Sequence, residues 1–239
     1  MLTRNFERLQ SEVADHVAAD RVTQGSYKTC FIGCLANGQD DPGFIQRTYG
    51  VPVMVTRIAE SIFEGLRSNE AVDFFAAIPP AIASDGKDLS RVGWTFLATE
   101  LRALPPVPDD IQACMGSVIE GMDLLGEGKE WPEAEAWANH AADYATDTDT
   151  DYATDTVHAA AAAADACSAI DAARWAYTVA VDAAAAHATL ADADADAADW
   201  DTWSAFAARA TLAAAARLRQ RDTLLRLIKE APITQKEDS

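Results

Sequence analysis

Apolar residues recur at steps of three and four along most of the first 130 positions, the period of an α-helix rather than a strand. Phe6, Leu9, Val13 and Val17 form one helical face between Thr3 and Asp20. Val55, Ile58, Ile62 and Leu66, with Phe63 beside them, form another in a helix opened by Pro52. Pro42 follows the loop Asn37–Asp41 and suits a first helical turn, and the helix it opens ends near Tyr49–Gly50. Ser68 or Asn69 caps a shorter helix carrying Val72, Phe75 and Ile78, which Pro79–Pro80 is expected to stop. Asp88 or Ser90 opens a helix with Leu89, Trp94, Leu97, Leu101 and Leu104, closed by Pro105–Pro106. After a cap at Asp109, Ile111, Met115, Val118, Met122 and Leu125 repeat at alternating steps of four and three, a heptad-like spacing suited to a partner helix. The apolar stretch Ser26–Ala36 fits either a short buried strand or a helix start, since short apolar runs carry no decisive period.

Beyond the expected linker Gly126–Trp131 the pattern changes to alanine interleaved with Asp, Thr and a few aromatics. Alanine loses almost no side-chain entropy in a helix. Helices are therefore expected from Pro132 to about Tyr144, from Thr156 to about Leu190, and from about Trp200 to Glu230, stopping at Pro232. The predicted fold class is all-α: a compact N-terminal helical domain (1–130), then long alanine-rich antiparallel helices in a hairpin or bundle (131–232), then a disordered tail (233–239). A short repeat, Tyr144–Thr148 recurring as Tyr152–Thr156, reads as a low-complexity joint, since Thr and Asp favour caps and turns over helix interiors.

Composition adjusts this picture in two ways. Much of the 49% apolar content is alanine, so the six Trp and eight Phe must supply much of the core's bulk. No apolar run approaches the roughly 18 residues of a membrane span, and the first ten residues lack an apolar signal core. A cytoplasmic protein is expected, with its four cysteines as free thiols.

Charge changes the functional reading. The net charge is −19, and residues 132–204 hold fifteen acids against the single base Arg174. Such a field repels nucleic acid and argues against direct binding to it. Solubility alone accounts for an acidic surface, and a basic protein partner accounts for it too. The acidic face expected to dock comprises Asp143, Asp147, Asp149, Asp151, Asp155, Asp165, Asp192 and Asp196. The run Asp147–Asp155 spaces carboxylates like a calcium loop, but Tyr152 and His158 stand where that loop needs Gly and Glu, so it reads as a solvated acidic loop.

No phosphate-binding glycine loop and no nucleophile elbow occur, and no cofactor is implied. Cys30 and Cys34 fall one helical turn apart and are the candidate metal ligands of a second reading, a metal- or thiol-dependent enzyme in which His16 serves as base. Against it, the four histidines are scattered singly, and two cysteines in an apolar segment are ordinarily small buried hydrophobes. A third reading is a structural or assembly component whose hairpins self-associate into a homo-oligomer.

The segments Thr29–Ala36, Tyr49–Pro52 and Ile62–Leu66, with the ending Leu224–Leu225 through Glu230–Pro232, resemble an uncharacterised group of proteins. That group is met in bacteriophages and in proteobacterial and actinobacterial genomes, including prophage regions. Arg67 departs from it, standing where a proline is common. The alanine tract more distantly resembles immunity proteins of toxin systems. The resemblance covers most of the chain and carries no activity to transfer. It implies a phage or prophage origin and a host-directed role, and with the charge pattern it makes a non-enzymatic acidic interaction protein docking on a basic host or partner protein the leading expectation, with imitation of nucleic acid as one form of that docking.

Overall fold

The computed structural model describes residues 1–26, 28–103, 109–132 and 202–234. Among them are eight helices and no strand, so the fold is all-α. In chain order these are α1 (Phe6–Ala18), α2 (Phe31–Leu35), α3 (Pro42–Tyr49), α4 (Val53–Gly65), α5 (Ser68–Ile82), α6 (Val92–Arg102), α7 (Asp109–Gly126) and α8 (Thr202–Glu230). No helix among the described residues is long and apolar enough to cross a membrane. The chain divides into two compact units: residues 1–93 with 221–239, and residues 94–220. The helices expected over Pro132–Tyr144 and Thr156–Leu190 lie outside the described residues.

The first unit is organised around α2. The stretch 26–36 is a helix and not a strand: Cys30 caps it, with Sγ accepting a hydrogen bond from Gly33 N at 3.4 Å. Five residues are too few for a helix to persist alone in water. All five are buried, and α2 packs against α1, α3 and α4. Its Phe31 ring lies among those of Phe63, Phe74 and Phe75, with centroids 5.5–6.2 Å away.

Local signals set the helix ends. Asp41 Oδ1 accepts from Phe44 N at 2.9 Å, with Pro42 at the first helical position, as the sequence predicts. The start of α1 departs from the usual rule. Asn5 sits in the left-handed region and makes no side-chain cap, and Asp85 supplies the acceptor for Phe6 N from far along the chain. Gln24 binds the end of α4, donating to Phe63 O and Leu66 O at 2.6 and 2.7 Å. The predicted stripe of α4 is buried, but so are Val53, Met54, Thr56, Ala59 and Ser61. The helix is enclosed on most sides because α2, α3 and α5 all pack on it.

One sequence expectation fails in α5, which runs through Pro79–Pro80 to Ile82 instead of stopping. Proline's fixed φ suits a helix, and its cost lies in a missing N–H and a crowded preceding turn. Burial of Ile78, Pro79, Ala81 and Ile82 offsets that, and Ala83 N closes the last turn on Pro79 O at 2.8 Å. The loop after it carries residues 86–88 between the two ends of the chain. Leu2 bridges Asp88, and Lys87 bridges Ile233, both antiparallel. Ile233 and Thr234, assigned to the tail on sequence, are thus paired; 235–239 lie outside the described residues.

In the second unit, Phe96, Leu97, Ala98 and Leu101 of α6 and Val118 and Met122 of α7 are fully buried. The stretch Gly126–Trp131, expected to be a linker, includes the buried Trp131. A Cβ at Gly121 would lie 2.1 Å from the Trp131 ring, so that glycine admits the indole.

Candidate functional site

The eight aspartates of the expected docking face (Asp143, Asp147, Asp149, Asp151, Asp155, Asp165, Asp192 and Asp196) lie outside the described residues. The described chemistry singled out on sequence is therefore that of Cys30 and Cys34.

The structure places Cys30 as the cap of α2 and Cys34 one turn on, near its end, and buries both to 4% exposure. They are free thiols. Cys30 Sγ donates to Glu60 Oε1 at 3.6 Å, and Cys34 Sγ donates to Thr29 O at 3.3 Å. Glu60 belongs to a charged seam on α4: Arg57 Nη1 reaches Glu60 Oε2 at 2.7 Å and Asp40 Oδ1 at 2.8 Å. Neither Glu60 nor Arg57 was singled out on sequence, although their three-residue spacing in a helix is the usual signature of an ion pair.

The electrostatics of this cluster oppose nucleophilic chemistry. Burial pushes the Cys30 thiol up, and the nearby Glu60 carboxylate adds to that against hydrogen bonds from the α2 backbone. Burial, with Cys30 beside it, pushes Cys34 up to about 11. Burial raises Glu60 too, against the pull of Arg57. A thiolate is the reactive form of cysteine, and a group titrating near 11 is ionised in only about one molecule in ten thousand at pH 7. The base expected from sequence, His16, is not the hydrogen-bond partner of Cys30; a carboxylate is, and it has the wrong sign to stabilise a thiolate. Among the described residues no group of three or more His, Cys, Asp or Glu is placed to hold a metal ion.

No family model, curated protein or solved structure matches this chain. The site is accordingly read from its own geometry.

That geometry makes Cys30 and Cys34 parts of the core. Both are expected to resist an aqueous disulfide reagent in the native protein and to react within the mixing time once it is unfolded, as read by peptide mapping of the labelled cysteines. Rapid native labelling of Cys30 would restore the thiol reading.

Three further polar sites emerge that periodicity gave no sign of. Tyr49, fully buried, donates its hydroxyl to Glu12 Oε2 under the guanidinium of Arg8, which sits 5.8 Å from the ring centroid. Burial first, then Glu12, raises the tyrosine's pKa, so the phenol stays neutral and ties α1 to α3. In the second unit, Glu100 is completely buried on α6, with Oε2 accepting from Arg219 Nη2 of α8 at 2.9 Å and Oε1 left without a hydrogen bond. Nearby in sequence, Arg217 Nη1 donates to Gln220 Oε1 at 2.9 Å, and both residues are buried. The third is Lys87, whose buried ammonium donates only to backbone carbonyls.

An open cleft of about 730 Å³ lies between residues 1–4, Asp85–Gly86 and Ile233–Thr234. Two of its polar side chains are engaged in the fold: Thr3 Oγ1 donates to Ser84 O and accepts from Lys87 N, and Asp85 Oδ1 accepts from Phe6 N. These bonds, with the bridges of Leu2 to Asp88 and Lys87 to Ile233, hold residues 2–3 and 233–234 on the loop after α5.

Proposed function

We propose that the protein is a non-enzymatic interaction protein whose acidic, alanine-rich segment docks on a basic surface of a partner protein, imitating nucleic acid. One observation carries this reading: the fifteen acids and single base of residues 132–204, in a chain whose other segments are far closer to neutral. Charge concentrated in this way steers a basic partner and fixes its orientation. The buried, protonated state of Cys30 and Cys34 supports the reading from the other side, since it removes the best candidate nucleophiles. In a phage-encoded protein acting in the host cytoplasm, the partner would be a host protein that itself binds nucleic acid.

The test is a pull-down from bacterial lysate with the intact protein and with a variant carrying Asn at Asp143, Asp147, Asp149, Asp151, Asp155, Asp165, Asp192 and Asp196. A partner retained at about 0.05 M salt is expected to be released at about 0.5 M, where screening is short-ranged. Duplex DNA should compete it off, and the eightfold variant should retain roughly a tenth as much or less, given the loss of eight steering charges. Equal retention by the variant, or indifference to both salt and DNA, would sink the proposal.

A further inference from the structure

Lys87 is 3% exposed, and no carboxylate among the described residues pairs with its ammonium. Its three donors are filled by Ala81 O at 3.0 Å, Ile228 O at 3.1 Å and Lys229 O at 2.9 Å. Ala81 belongs to the last turn of α5, and Ile228 and Lys229 to the last turn of α8. Carbonyls in a final helical turn lack intrahelical donors and carry the negative end of the helix dipole. One side chain therefore completes two helix ends that lie more than 140 residues apart in the chain.

Two opposed terms meet at this residue. The three charge-assisted bonds favour the closed arrangement. Removal of water from a cation without a counter-ion disfavours it, and the like charge of Lys229 adds to that. Burial, with Lys229 behind it, accordingly pulls the Lys87 pKa below the ordinary lysine value. Opening would return the ammonium to water. Beyond α8, residues 231–234 are held on residues 1–93 by two backbone bonds among the described residues, Asp88 N to Pro232 O and Thr234 N to Gly86 O, both 2.8 Å. Leu224 and Ile228 are buried, while Ile233 is 61% exposed and adds little. The rings packed on Phe31 are those of Phe63, Phe74 and Phe75.

We infer that the last turn of α8 with residues 231–234 forms a strap that opens and closes on residues 1–93, with Lys87 as its latch. Segments attached by few buried contacts open below the global unfolding free energy. Native-state hydrogen exchange of the intact protein in low denaturant tests this. The Asp88 and Thr234 amides are expected to exchange through one shared opening that leaves Ile58 and Ile62 in α4 protected. Exchange of all four only through global unfolding overturns the strap. Lys87→Met removes the donor that Ala81 O, Ile228 O and Lys229 O share and should speed exchange at Asp88 and Thr234 by about tenfold or more, with Ile58 and Ile62 nearly unchanged. Equal acceleration of both pairs, or of neither, overturns the latch. Should Lys87→Met fail to fold, Lys87→Gln, which brings fewer donors on a shorter side chain, is read by the same two outcomes.

Discussion

Phe31→Ala is expected to lower the unfolding free energy by about 3–5 kcal/mol, the range found for deleting a buried aromatic ring from a well-packed core. The ring is 3% exposed and lies edge-on to Phe75 at 5.5 Å, with Phe74 and Phe63 at 6.1 and 6.2 Å. Two losses combine here. The cavity forfeits the transfer energy of the ring and its contacts with three other rings. In addition, α2 is too short to exist without the packing that Phe31 anchors, so the helix itself is put at risk. A denaturant titration followed by circular dichroism measures the effect. Phe31→Leu keeps most of the volume and should lose about 1–2 kcal/mol. A loss below about 1 kcal/mol for the alanine variant would mean that the three remaining rings collapse into the gap, and the central role given to α2 would be wrong.

Gly50→Ala is the second large effect, expected at about 2–4 kcal/mol, because a strained backbone and a steric clash fall on the same atom. Gly50 ends α3 with φ at +72°, a conformation that side chains disfavour. A Cβ there would lie 2.0 Å from Leu2 O, closer than any contact allows. Either the end of α3 or residues 2–4 must move. The second route breaks Arg4 N to Tyr49 O and Thr3 N to Lys87 O, both 2.9 Å. Gly38→Ala is the matched control: its φ is +77°, but a Cβ meets nothing within 4 Å. It should show only the backbone component, about 1 kcal/mol. Equal losses at Gly38 and Gly50 would show that the N-terminal segment yields without resistance.

The places where the sequence read well and badly differ in kind. Stripes such as Leu9 with Val13 and Ile58 with Ile62 were legible because helical period is a local property, and those side chains are buried. The start at Pro42 and the stop at Gly50 were legible for the same reason. Pro79–Pro80 misled because a rule about local donors ignores what burial of the next turn contributes. Phe96 escaped attention although it is fully buried, because it lies off the stripe drawn through Trp94 and Leu97. As for the site, the spacing of Cys30 and Cys34 predicted their proximity, but reactivity depends on Glu60, supplied by another helix. Lys87 was illegible: nothing in a loop lysine announces that its ammonium will be buried on two helix ends.

By itself, then, the sequence determined the helical class, most helix positions and the concentration of negative charge, because period, propensity and charge are carried by residues near one another in the chain. Tertiary structure alone decided that the thiols are sealed beside a carboxylate, that Asp85 caps α1, and that Lys87 joins α5 to α8. Each of these depends on which distant groups share a volume free of water, where desolvation sets the strength and the sign of every polar contact.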